Sequence, residues 1–140
     1  MSAGHRWDDH TADLALTVWG DDETQMLLEA AQAVLAEAFG PLEETEALAR
    51  SPLRVDVSAL DPADRLVRWI NEVLYHAMVE GRRAVSASLR LADPGALEGE
   101  LQTVPIPEGT VVHEIKAASY HEVSVTADPA RVQGHVVLDV

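Results

Sequence analysis

No cysteine occurs among the 140 residues. Disulfides, zinc–thiolate sites, iron–sulfur clusters and thiol nucleophiles are therefore excluded before any motif is read. No apolar stretch approaches the roughly 20 residues that span a bilayer, and the opening segment MSAGHRWDDH lacks the basic stretch and apolar run of a secretory signal, so a cytoplasmic location is expected. Cations are scarce: 10 Lys and Arg stand against 24 Asp and Glu, a formal net charge of −14. So acidic a surface repels nucleic-acid phosphates, and direct binding of RNA or DNA is not expected. A basic protein partner or metal cations suit the same field; so does the plainer reading that acidity keeps the chain soluble or matches a salt-adapted host. There is no glycine-rich phosphate loop, no G-x-S-x-G elbow and no H-E-x-x-H helix. His76 stands at helical spacing from Asn71-Glu72, but no second histidine completes a metal-binding helix.

What is present fits one globular domain, since 47% hydrophobic residues in a chain of this length can build a core without covalent help. Leu14 to Trp19 alternates with the period of a strand and ends at Gly20. From Asp22 the pattern becomes helical: Asp22 and Thr24 offer capping oxygens, Gln25 stands where a capping-box partner would, and Gly40-Pro41 stops the run after Phe39. This helix has almost no polar face, which predicts enclosure on more than one side, and its alanines permit close approach. Residues 42 to 51 read as an acidic loop, and Leu53, Val55 and Val57 as a strand. A second helix starts with Asp61 as N-cap and Pro62 at the first position; its apolar face is Leu66, Trp69, Ile70, Val73, Leu74 and Ala77, and Gly81 follows its end. Strands are predicted at Val85 to Leu91, Leu97 to Val104, Val111 to Ala117, Glu122 to Ala127 and His135 to Val140. The order predicts an α+β fold with a mostly antiparallel sheet.

Three clusters hold residues capable of chemistry. His10-Thr11-Ala12-Asp13 precedes the first predicted strand; an imidazole and a carboxylate there can bind a metal or move a proton, or simply serve a turn. Along an extended strand Glu114, Lys116 and Ala118 share a face, a spacing that equally suits a solvated ion pair, and His121 follows. In the closing segment Val136, Leu138 and Val140 point one way while Val137 and Asp139 point the other, so a carboxylate interrupts an otherwise apolar strand.

These blocks resemble the archease family. His5 to Leu16 is similar to the family's N-terminal block, an aromatic residue followed by His-Thr-Ala-Asp. The Ala-rich first helix and Leu66 to Tyr75, with its tryptophan-asparagine-glutamate run, resemble the family's two helices. Glu114 to His121 looks like its Lys-Ala-hydrophobic-Thr-Tyr-His block, and Val136 to Val140 like its closing strand. Departures are Ala118-Ser119, where Val-Thr is usual, and Asp9, where an aliphatic residue is usual.

The resemblance implies a buried helix pair packed with β-sheet in a β/α/β layering, similar to archease and Hsp33-like folds. It implies a non-enzymatic accessory role: activating an RtcB-type RNA ligase of tRNA splicing that uses GTP and manganese, by promoting its guanylylation and multiple turnover. It carries the metal site onto Asp13, Asp139 and Val140 and the functional lysine onto Lys116, with His10, Glu114 and His121 as supporting candidates. An all-oxygen donor set suits a hard cation, Ca²⁺, Mn²⁺ or Mg²⁺. Pairing of the first and last strands would bring Asp13 to Asp139 and the main-chain oxygens of Val140. Two other readings stay open: a metal-dependent hydrolase using the same carboxylates with Lys116 or His121, and a chaperone-like interaction module.

Overall fold

The computed structural model describes residues 3–10, 13–42, 50–92 and 95–140, with Asp9 and His10 as main chain only. The acidic stretch read as a loop falls largely outside the described residues, as do Thr11, Ala12, Asp93 and Pro94. In chain order the elements are β1 (Gly4–His10), β2 (Asp13–Gly20), α1 (Glu23–Phe39), β3 (Ser51–Ser58), α2 (Pro62–Met78), β4 (Arg82–Ala92), β5 (Ala96–Pro105), β6 (Ala117–Ala127) and β7 (Val132–Asp139). They form two antiparallel sheets, one ordered β1-β2-β7-β6 and the other β3-β5-β4. Both helices lie between them: α1 packs on β1, β2 and β7 of one sheet and β4 of the other, and α2 on β6 and β7 and on β3 and β4. The β/α/β layering expected above is therefore the observed architecture.

Local chemistry fixes both helices. Asp22 caps α1 by accepting the Gln25 N–H at 2.9 Å, and Gly40, at φ 80°, ends it in a conformation that side-chain-bearing residues avoid. Asp61 caps α2 in the same way through the Asp64 N–H, with proline at the first turn. Gly20 lets β2 run directly into α1; a Cβ there would sit 2.5 Å from the Met26 nitrogen.

The helices meet on Trp69, which is fully buried and whose indole N–H donates to the Leu27 carbonyl at 2.6 Å. An unpaired N–H at that depth would cost about 1–3 kcal/mol, so the bond fixes the helices' register as well as their distance. A second tie sits at their N-terminal ends: Arg65, nearly buried, holds Glu23 at 2.6 Å and the Gly95 carbonyl at 2.8 Å. Among the described residues no buried side-chain nitrogen or oxygen lacks a partner. No helix among them is long and apolar enough to cross a membrane.

Two expectations need correction. Val111 to Ala117 is not a strand: only Ala117 belongs to one, at the start of β6. Of that segment only Ile115 is fully buried; the Val112 and His113 N–H groups donate to the Ala38 carbonyl at the end of α1, at 2.8 and 3.1 Å. Alternating residues here make a strap, pinned to the end of α1 through Val112 and His113, that meets the sheet only at Lys116 and Ala117. Second, β1 is a strand where none was expected, because an edge strand carrying His5, Arg6 and Asp8 shows no apolar alternation.

Candidate functional site

The paired positions of β2 and β7 run from Asp13 opposite Asp139 to Gly20 opposite Val132. On its other side β7 pairs with β6, where Ala117 stands opposite Asp139. Lys116, one residue earlier, donates its N–H to the Asp139 carbonyl at 2.8 Å. Asp13, Asp139 and Lys116 thus meet at one corner of the sheet, with Val140 next along the chain. Directly opposed residues of an antiparallel pair have Cβ atoms about 4.5–5.5 Å apart, so the two carboxylates reach a common point, and like charges so placed repel.

Asp13, Asp139 and Lys116 have no ion pair or side-chain hydrogen bond with the described residues. The pairing of Glu114 with Lys116 read as one possibility is therefore not present among them. Lys116 is also the only lysine of the sequence, a signal that composition offered and pattern reading passed over.

The other candidates fall around this corner unevenly. Glu114 and Lys116 are exposed and line a groove along α2, but on the strap and not on a strand. His121 is exposed within an irregular stretch of β6 between Ser119 and Ser124, where register with β7 is lost; those residues face Val137 and His135, so His121 lies further along the strand from Asp139. Its ring nitrogen is 3.8 Å from Glu122, itself at φ 62°. The His10 side chain lies outside the described residues, although its main chain pairs with Asp13. Among the described residues no three His, Asp or Glu side chains form a cluster able to hold a metal. Among the described residues the oxygen donors at this corner are the two carboxylates and nearby main-chain oxygens, a set whose chemistry suits a hard ion.

Sequence reading missed two supports beneath the corner. Asn71 of α2 reaches the outer edge of β6: its side-chain carbonyl accepts the Ala118 N–H at 2.7 Å and its amide donates to the Ala118 carbonyl at 3.5 Å. An amide side chain here fills the place of a missing neighbouring strand. Further on, the Tyr120 hydroxyl donates to Asp64 at 2.5 Å, where Arg68 and the Leu60 N–H also converge. The Tyr120 hydrogen bond, with the Leu60 N–H and Arg68 behind it, lowers the Asp64 pKa, and the same bond raises that of Tyr120. Both contacts join residues far apart in sequence, which a one-dimensional pattern does not display.

The model of the archease protein family (MTH1598/TM1083) matches residues 6–140, nearly the whole chain. The chain belongs to the archease family. Protein archease of Methanopyrus kandleri is 26% identical over 146 residues, covering 96% of this archease and 99% of that protein. The solution structure of Methanobacterium thermoautotrophicum protein 1598 superposes with a TM-score of 0.72 at 21% identity, covering 98% of this chain and 99% of that one. The crystal structure of an archease from Thermotoga maritima, described as a possible chaperone, gives 0.67 at 21% identity, with 95% and 94% covered. Those likenesses show that the fold is the archease fold, and family membership supports an accessory role.

Proposed function

We propose that this archease activates an RtcB-type, GTP- and manganese-dependent RNA ligase of tRNA splicing, promoting its guanylylation and its return to successive turnovers. Asp13, Asp139 and a main-chain oxygen of Val140 hold a divalent cation, Ca²⁺, Mn²⁺ or Mg²⁺. The cation neutralises the facing carboxylates. Lys116, tied through its own N–H to Asp139, presents an uncommitted ammonium beside them. The observation carrying this reading is the convergence of Asp13, Asp139 and Lys116 at one sheet corner with no side-chain partners among the described residues. Such charges cost self-repulsion and strengthen nothing in the fold, which fits groups kept for something outside it.

Multiple-turnover ligation with the cognate ligase tests the reading. Products should pass one per ligase only when the archease is present, and Asp139→Asn and Lys116→Ala should remove that effect. Calorimetric titration with Ca²⁺ and Mn²⁺ should show affinity falling in Asp13→Asn and Asp139→Asn, each of which replaces a charged ligand oxygen by a neutral one. Ligation that stops at one equivalent in every mixture refutes the role. Phosphodiester hydrolysis by the archease without ligase would establish the hydrolase reading instead.

A further inference from the structure

A groove of about 580 Å³ runs between the C-terminal half of α2 and the strap that leads to Lys116. Leu74, Met78 and Ile115 line its depth, and Tyr75, Val79 and Val111 its walls. Tyr75 is 51% exposed, Val79 68%, and Val112, beside Val111 on the strap, 74%. These side chains are not loose ends. The strap's backbone is fixed to Ala38 at one end and to Asp139 at the other, and Tyr75 stands on a helix locked through Trp69. A rigid backbone that holds several apolar side chains in water forms a surface already shaped for a partner.

Charge says what kind of partner. Asn71 and Tyr75 are shared with an adjoining recess lined also by Asp56 and Glu72, while Glu114 borders the groove itself and Glu80 follows Val79. Arg68 opens into the recess already paired with Asp64, which leaves Lys116 against several carboxylates. Glu72 and Glu80 also flank His76 on α2. A second copy of this chain, with the same net charge of −14, would be repelled from this acidic face.

We propose that this groove docks a segment of the partner protein bearing aliphatic side chains flanked by lysine or arginine. The inference rests on the accessory role above, which makes that partner the RNA ligase. The aliphatic side chains seat between Tyr75, Val79 and Val111, and the flanking cations meet Glu114, Glu72 and Asp56. Because Lys116 lies on the groove wall, docking there brings the Asp13–Asp139 corner against the same partner.

The test titrates fluorescently labelled archease with the purified cognate ligase, in parallel with stimulation assays. Tyr75→Ala and the double variant Val79→Ser with Val111→Ser change exposed positions, and their melting curves should match the wild type. Binding should weaken tenfold or more, the concentration giving half-maximal stimulation should rise by the same factor, and the plateau should be unchanged. Lys116→Ala should remove the stimulation itself. Wild-type affinity should fall as salt is raised. If the groove variants bind and stimulate like the wild type while Lys116→Ala fails, the groove is wrong and the accessory role stands. If the wild type neither binds nor stimulates, both fall. Affinity independent of salt overturns the cationic partner segment, and a wild-type dimer in sedimentation that the double variant lacks assigns the groove to a second copy.

Discussion

The two helices have the same length, 17 residues each, but show solvent different side chains. Helix α1 buries Met26, Leu27, Val34, Leu35 and most of its alanines, and lies against strands of both sheets. Helix α2 buries Leu66, Val67, Trp69, Ile70, Val73 and Leu74 together with Asp64, Arg65 and His76, but leaves Arg68 and Tyr75 exposed, with Asn71 and Glu72 at the margin. Helix α1 shows solvent a stripe of Gln32 and Ala36 with half-buried Glu29 and Glu37, whereas α2 holds the core together and also displays an arginine and a tyrosine. The proposed groove, the Asn71 brace and the Asp64–Tyr120 contact all belong to α2.

Substitutions can break that contrast in graded steps. The largest effect is expected from Trp69→Ala, which empties the contact between the helices and frees the Leu27 carbonyl: about 3–5 kcal/mol lost in urea unfolding, against about 0.5 kcal/mol or less for Tyr75→Ala on the same helix. If the two cost the same, α2 does not have two distinct faces. Next comes Ala33→Leu on the buried side of α1, where added volume has no space to enter; a loss of about 1–3 kcal/mol is expected, and a neutral result would show that the packing around Ala33 can give way.

A smaller effect, selective for pH, is expected at the outer end of α2. The folded state lowers the pKa of Asp64, so its contribution to stability is present above the unfolded value of about 3.9 and is lost as pH falls through that value towards the folded one. Tyr120→Phe removes the leading cause of the shift. Its destabilisation should be clear at pH 7 and fade at about pH 2; equal destabilisation at both would place the Tyr120 effect in packing. The smallest change in stability belongs to the proposed site. Lys116→Ala should move unfolding by about 0.5 kcal/mol or less while removing ligase stimulation. Because Lys116 supplies the chain's only ε-amine, acetylation should mimic the variant and reductive methylation, which keeps the charge, should not.

Much of this architecture was legible in the residues because it is written locally. Asp22 and Asp61 announce their helices through cap chemistry, and the near-absence of a polar face on α1 foretold enclosure between layers. The strap was misread because Val111, His113 and Ile115 alternate like a strand, yet their backbone partners lie on α1 and β7, far away in sequence. Strand β1 was missed for the opposite reason: with one neighbour and a wet outer edge it needs no apolar period. At the candidate site, the interruption of the closing apolar strand by Asp139 was visible, and the family resemblance supplied its companions. The braces beneath it, Asn71 to Ala118 and Tyr120 to Asp64, depend on tertiary juxtaposition that no spacing encodes.

The position of β7 has a further consequence for how the protein comes into being. It lies inside its sheet, between β2 and β6, although it follows every other described strand in the chain. Contacts such as Thr17 with His135, 118 positions apart, close only once β7 has been made. On the ribosome, both helices and the β3-β5-β4 sheet can therefore assemble while Asp13 lacks Asp139 opposite it and Lys116 lacks its anchor. Pairings of such long range form slowly. A chain without β7 presents neither the carboxylate pair nor the tied Lys116, so the proposed site forms only with a pairing of long range.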